Sequence, residues 1–216
     1  MALIPFSTYH IPTIPGIQVH FWGLKENLDE LEAMAPDSSA LFQPPYVNFK
    51  SAKRKMEWLA VRVLLHQVFP QSVQIAYEES GRPYLVPAVS EFSISHTKGV
   101  VSIAFSDTPV GIDVEQKGNR PFLLRDHFLQ TKEFDFASVD YPEQVALFMW
   151  SAKESVYKLV HLPGLELKSD ICLQAMTVDA SCMEFSAHVT GLSSSIRVHC
   201  YDMKEFVLTV ATFSDH

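Results

Sequence analysis

Apolar and polar positions alternate over residues 17–22 (Ile-Gln-Val-His-Phe-Trp), which is the period of a half-buried strand. Residues 26–50 hold no sustained period and predict loop with some helix. From 51 to 69 the period lengthens. Trp58, Val61, Leu65 and Val68 recur at helical spacing and should face a core, with Ser51 placed to cap the helix and Pro70 to stop it. Strand patterning returns at 73–77, at 84–86 behind a Gly81-Arg82-Pro83 turn, and at 92–95, 100–105 and 110–115, the last behind Asp107-Thr108-Pro109. A short helix is predicted at 123–130 and a long one at 141–161. Asp140 and Glu143 stand at capping-box spacing before the long helix, Pro142 is tolerated in its first turn, and Pro163-Gly164 follows its end. Strands at 171–178, 184–190, 196–201 and 206–212 complete the chain.

Each half therefore reads as one long helix followed by antiparallel strands. The predicted class is α+β, with two similar halves, 1–106 and 107–216, related by a pseudo-twofold axis. The 216 residues suffice for a sizeable core.

Charge narrows the function. Seventeen basic against 25 acidic residues leave a formal charge of -8, so a chain-wide basic field for nucleic acid is absent, although a local anion pocket is not excluded. Cys172, Cys182 and Cys200 form no CxxC pair and are expected to be free thiols. Pro5, Pro12 and Pro15 interrupt the apolar start, and no Lys or Arg precedes Lys25, so no secretory signal is expected. With no run long enough to span a membrane, the expected location is the cytoplasm.

Four segments carry candidate chemistry. In Val110-Gly111-Ile112-Asp113-Val114-Glu115 the apolar side chains share one strand face, and Asp113 and Glu115 share the other. Two neighbouring carboxylates repel unless a cation lies between them, and hard oxygen donors suit magnesium. Gly111 lets another segment or a ligand come close. Taken alone, this segment favours the plainer reading of an edge strand with a solvated acidic face. In Trp150-Ser151-Ala152-Lys153-Glu154-Ser155-Val156-Tyr157-Lys158, Trp150, Glu154 and Lys158 lie four apart on one helix face. A surface Glu154–Lys158 ion pair would account for two of them, but not for Trp150 beside them. Lys53-Arg54-Lys55 places three cations in the first turn of a helix, against its dipole, a conflict that a bound anion relieves. His96, after Ser93-Ile94-Ser95, sits at a strand end where it can reach a phosphate oxygen.

Together these segments resemble the larger, pseudo-dimeric 4'-phosphopantetheinyl transferases. That family carries a Gly-hydrophobic-Asp-hydrophobic-Glu strand and, 30–45 residues later, a Trp-x-x-Lys-Glu-Ser/Ala-x-x-Lys helix; Gly111–Glu115 and Trp150–Lys158 match in order and separation. Gly81-Arg82-Pro83, Ser95-His96 and a basic helix start with a later arginine, Lys53-Arg54 and Arg62, also match. The resemblance implies transfer of the 4'-phosphopantetheine arm of coenzyme A to a serine of an apo acyl or peptidyl carrier protein, releasing 3',5'-ADP. It implies a monomer whose halves mimic a dimer, with coenzyme A between them. Asp113, Glu115 and Glu154 would hold Mg2+. Ser95, His96 and Lys158 would lie at the pyrophosphate, Lys53 or Arg54 (with Lys55 competing) at the 3'-phosphate, and Arg82 and Pro83 near the adenine. Glu154 and Lys158 would be catalytic, Glu154 as base. Arg62, mid-helix, reads as structural. The chain departs from the family pattern after Lys158, where Leu159 to Leu165 holds one glycine and no lysine. Because carriers are acidic like this chain, docking is expected through a local apolar patch with a few cations. Two rivals stand beside this reading: a magnesium-dependent nuclease using Asp113, Glu115 and Lys117, and a non-catalytic carrier-binding module.

Overall fold

The computed structural model describes residues 14–35, 41–42, 45–69, 73–133, 140–178 and 182–214. The first half supplies β1 (Ile17–Gly23), α1 (Leu28–Ala33), α2 (Ala52–Val68), β2 (Gln74–Tyr77), β3 (Pro83–Val86), β4 (Glu91–Thr97) and β5 (Val100–Ser106). The second supplies β6 (Val110–Gln116), α3 (Arg120–Leu123), α4 (Arg125–Phe128), α5 (Pro142–Val160), β7 (Ile171–Val178), β8 (Cys182–Val189), β9 (Ile196–Asp202) and β10 (Phe206–Phe213). Sheet order is β1-β5-β4 in one sheet, β6-β10-β9-β8-β7 in another, and β2-β3 in a separate hairpin; every pairing is antiparallel. The protein is α+β, and among the described residues no helix is long and apolar enough to cross a membrane.

Alternation explains the layering. On β5, Val101, Ile103 and Phe105 pack toward Leu59, Leu64 and Leu65 of α2, while Ala104 on the opposite face joins Phe21, Ile112 and Leu208. On β6, Val110, Ile112 and Val114 enter that same shared cluster, where Phe21 and Phe206 meet at 5.7 Å between ring centres. The opposite face of β6 lies under α5, so both faces of the strand are covered. Apolar residues of α5, Phe148, Met149, Val156 and Leu159 among them, close the second core against β7–β10. Each such side chain contributes about 1.5–3 kcal/mol on burial.

The two main sheets touch along β4 and β6 through side chains rather than a backbone ladder. The hydroxyls of Ser93, Ser95 and Thr97 accept the backbone N–H groups of Ile112 (3.1 Å), Val114 (3.1 Å) and Gln116 (3.3 Å). The constant offset of 19 residues makes the strands run parallel.

Three local expectations change. The helix expected at 123–130 is two short turns, α3 and α4, because Pro121 starts the first turn early and the carbonyl of Phe128 is taken by Lys153. Neither Ser51 nor Asp140 caps a helix with its side chain. Tyr141 is the N-cap of α5 in the left-handed region (φ 67°), and its carbonyl takes the N–H groups of Gln144 and Val145. Pro70 lies outside the described residues. Cys172 is a free thiol.

Lys153 is fully buried. Its ammonium donates to the carbonyls of Phe128 (2.8 Å), Leu167 (3.0 Å) and Ile171 (2.7 Å) and to Glu133 Oε2 (3.0 Å). Glu133 in turn accepts the N–H groups of Gln130 and Leu173, so one ion pair ties α4, the loop after α5 and β7 together. Burial lowers the Lys153 pKa and Glu133 pulls it back up. Lys153→Met leaves a buried carboxylate alone, which costs about 3–5 kcal/mol. At about 2–4 °C per kcal/mol, its thermal midpoint should fall by roughly 6–20 °C in a calorimetric scan, whereas an unchanged midpoint would contradict the buried pair.

Candidate active site

The face of β6 that carries Gly111, Asp113 and Glu115 lies against α5, and the fit requires glycine. A Cβ on Gly111 would stand 2.0 Å from the Ser155 carbonyl oxygen and 2.7 Å from the Leu159 nitrogen. This contact presses the helix face bearing Trp150, Glu154 and Lys158 onto the acidic face of the strand. The Trp150 indole Nε1–H donates to Glu115 Oε1 at 2.9 Å. Lys158 Nζ donates to Asp113 Oδ1 at 2.7 Å and to Ser95 Oγ at 2.9 Å. Lys158 thus pairs across the elements with Asp113, rather than along the helix surface with Glu154.

Asp113 is 4% exposed and accepts from three side chains: Ser95 (2.9 Å) and Lys158 at Oδ1, and Ser151 (2.8 Å) at Oδ2. Glu154 has its pKa raised to about 7, first by burial and then by the charges of Asp113 and Glu115, with Lys158 opposing. Burial likewise raises Glu115, with Asp113 adding to the shift and the Trp150 hydrogen bond opposing it. Charge repulsion among buried carboxylates is relieved by protonation or by a cation.

Across the cleft, Glu57 is the centre of the basic helix start. Its carboxylate lies 3.6 Å from Lys53 Nζ, from Arg54 NH1 and from His96 Nδ1. The three-cation conflict at the start of α2 is therefore met in part from within the chain. His96 Nε2 sits 3.1 Å from Arg54 NH1. Because a guanidinium only donates, Nε2 is the acceptor and the ring proton sits on Nδ1, facing Glu57. Burial lowers the His96 pKa, and nearby Arg54, Lys158 and Lys53 reinforce the shift against Glu57.

Arg54, His96, Ser95, Pro83, Asp113, Glu115, Glu154 and Lys158 line one cleft of about 460 Å³. Lys53 stands outside it on an exposed turn, paired with Glu57. Arg82 is also outside, paired with Glu91 at 2.9 Å, although Gly81 and Pro83 of its turn reach the cleft. Ser95 accepts from the Val114 N–H and from Lys158 while donating to Asp113, so its hydroxyl is fully engaged. Lys117 pairs with Asp202 rather than with Asp113 or Glu115.

Sequence reading missed several lining residues. Arg62 lines the cleft, its guanidinium carbon 3.4 Å from the centre of the Trp58 ring and its guanidinium donating to the Trp58 carbonyl at 3.2 Å. Their i, i+4 spacing on α2 was the available signal. Tyr77 and His161 complete this end of the cleft. Trp58 Nε1 and His161 Nε2 are buried and, among the described residues, have no hydrogen-bond partner. A second cleft of about 370 Å³ shares Glu115 and Trp150 with the first and runs out to Arg120, Pro121 and Leu124.

Among the described residues, no group of three or more His, Cys, Asp or Glu side chains is already disposed to hold a metal ion. Both oxygens of Asp113 are taken by Lys158, Ser95 and Ser151. The donor chemistry nevertheless fits a hard dication, since Asp113, Glu115 and Glu154 supply only oxygen and repel one another in its absence.

Residues 109–211, which contain the acidic strand and α5, match the family model of the 4'-phosphopantetheinyl transferase superfamily. Similar curated proteins are 4'-phosphopantetheinyl transferase gsp of Aneurinibacillus migulanus (32% identical over 122 residues, 53% of this chain and 51% of the relative) and 4'-phosphopantetheinyl transferase of Bacillus subtilis (29% over 106 residues, 47% and 46%). AcpT of Escherichia coli K12 is 29% identical over 112 residues, 49% of this chain and 57% of the relative. The match spans about half the length of these relatives. The second half of this chain, residues 109–211, belongs to the 4'-phosphopantetheinyl transferase superfamily.

Proposed function

We propose that this protein transfers the 4'-phosphopantetheine arm of coenzyme A to a serine of an apo carrier protein, with release of 3',5'-ADP, and that it uses Mg2+. The observation that carries the reading is the meeting, in one cleft, of three carboxylates and Lys158 from the second half with His96 and Arg54 from the first. The halves 1–106 and 107–216 would hold coenzyme A between them, as the unpartnered Trp58 Nε1 and His161 Nε2 in the same cleft favour.

In the reaction the serine oxygen bonds to the phosphorus that bears the pantetheine arm, and the bond from that phosphorus to 3',5'-ADP breaks. Such chemistry is mainly positioning and charge neutralisation. Arg54, which lines the cleft, or Lys53 would meet the 3'-phosphate; His96 and Lys158 would meet the pyrophosphate, where Lys158 offsets the charge on the departing ADP. Pro83 and Arg82 would stand by the adenine. Asp113, Glu115 and Glu154 would hold magnesium, which supplies charge neutralisation at the phosphates. Glu154 would take the serine proton at its carboxylate.

The carrier would approach along the second cleft, which opens beside Glu115. Leu124 (39% exposed) lines it with Arg120, and Leu123 (66% exposed) adjoins in sequence, an apolar patch with a cation in an otherwise acidic chain.

The test mixes the protein with coenzyme A, magnesium and a panel of apo fatty-acid, polyketide and peptidyl carriers and reads the intact mass of each carrier. A gain of one phosphopantetheine, abolished by EDTA and undiminished in Lys117→Ala, is expected. Binding of coenzyme A without any gain would favour a non-catalytic module; neither binding nor gain would favour the nuclease reading, which the Lys117–Asp202 pair disfavours.

A further inference from the structure

Behind Asp113 lies a hydrogen-bond chain that the proposed chemistry does not use. Thr209 on β10 stands directly opposite Asp113 in the β6–β10 ladder. Its hydroxyl donates to the Ser151 carbonyl at 2.8 Å and lies 3.0 Å from Ser151 Oγ. Ser151 Oγ lies 2.8 Å from Asp113 Oδ2. Ser151 and Thr209 are both 0% exposed, so water does not compete.

The proton inventory gives the chain a direction. A serine hydroxyl carries one proton, and a carboxylate only accepts. The Thr209 proton is committed to the Ser151 carbonyl and the single Ser151 proton to Asp113 Oδ2, so Thr209 holds Ser151 through its backbone while the two hydroxyl oxygens only touch. The other oxygen, Oδ1, is on the side of half-buried Lys158 and Ser95, which line the cleft. We infer that Ser151 and Thr209 are positioning residues: they clamp the buried oxygen of Asp113 and so present its second oxygen to the cleft at a fixed angle. This rests on the transferase reading and extends it to two residues that touch neither substrate.

The experiment compares wild type, Ser151→Ala, Thr209→Val and the double variant, by calorimetric titration of magnesium with coenzyme A present and by steady-state transfer. Partners behind a metal ligand typically govern about 10–100-fold in metal affinity or activity, and that loss is expected for Ser151→Ala, in kcat and magnesium affinity. KM for coenzyme A should hold, because Arg54, Lys53 and His96 sit on the other half. Thr209→Val should lose about severalfold, and nothing further in the Ser151→Ala background, since it acts only through Ser151. Thr209→Ser, which keeps the hydroxyl and drops the methyl, should match wild type and so separates positioning from packing. Unchanged magnesium affinity in Ser151→Ala, multiplying losses in the double variant, or a Thr209→Ser as poor as Thr209→Val would each overturn the inference while leaving wild-type transfer intact. A wild type that neither takes magnesium nor modifies any carrier would overturn the transferase reading itself, and this inference with it.

Discussion

Glu154→Gln should all but abolish carrier modification and, at the same time, make the folded protein more stable above pH 7. The loss follows from removing the proposed base and a proposed cation ligand at once. General base catalysis alone is worth about 100- to 10,000-fold, so transfer should fall at least that far. The gain in stability follows from linkage. Burial and the charges of Asp113 and Glu115 raise the Glu154 pKa from 4.5 in the ordinary state to about 7. The folded protein therefore holds this proton where the unfolded chain has released it. Stability drops as pH rises from about 4.5 to 7, and the whole penalty is present above 7, the reverse of a salt-bridged carboxylate. Glutamine carries no charge to repel, so the penalty vanishes. Urea titrations at pH 5 and pH 8 check the stability half. If Glu154→Gln is less stable than wild type at pH 8, the carboxylate is not repelled by its neighbours and the site is not poised for a cation.

Much of this cleft was legible because the two segments that build its acidic side are each locally periodic. Alternation in Val110–Glu115 fixes which side chains share a face, and a four-residue spacing does the same for Trp150, Glu154 and Lys158. The same spacing turns Lys153 about one-quarter of the way round the helix from Glu154, toward the second core, where it meets Glu133. What could not be read is pairing between distant segments. β1 joins β5, and β6 joins β10 across nearly a hundred residues, which no local pattern encodes. The alternating hydroxyls of Ser93, Ser95 and Thr97 are visible in the sequence, yet their role is set by β6 running alongside. Ser95 was assigned to the ligand for the same reason. Its proton is directed at Asp113 by a contact 18 residues away. Glu57 was hidden by its basic neighbours, since one carboxylate after Lys53, Arg54 and Lys55 reads as a helix-surface charge until His96 is brought to it.

Gly111→Ala should retain the fold and lose transfer. The alanine methyl would meet the Ser155 carbonyl oxygen at 2.0 Å, the Leu159 nitrogen at 2.7 Å and the Leu159 Cβ at 2.9 Å. The two nearest atoms are helix backbone and cannot rotate aside, so α5 must lift from β6 by roughly 1.4 Å to reach ordinary contact. Overpacking of this kind costs about 1–3 kcal/mol, which a protein of this size survives. Catalysis does not survive as well. α5 carries Glu154 and Lys158 together with Trp150 and Ser151, the partners of Glu115 and Asp113, so every one of these contacts lengthens together. A displacement of about 1 Å in positioned groups costs about 100-fold in rate. The cations that would take the 3'-phosphate belong to α2 and do not move, so the loss should appear in kcat, with KM for coenzyme A nearly unchanged. Leu159→Ala should not rescue the variant, because it removes atoms beyond Cβ while the Ser155 carbonyl remains. Unaltered circular dichroism with a kcat about 100-fold lower would place the defect in the seat of the helix. A wild-type kcat would mean that β6 and α5 do not touch at Gly111, and the proposed cleft would lose the contact that assembles it.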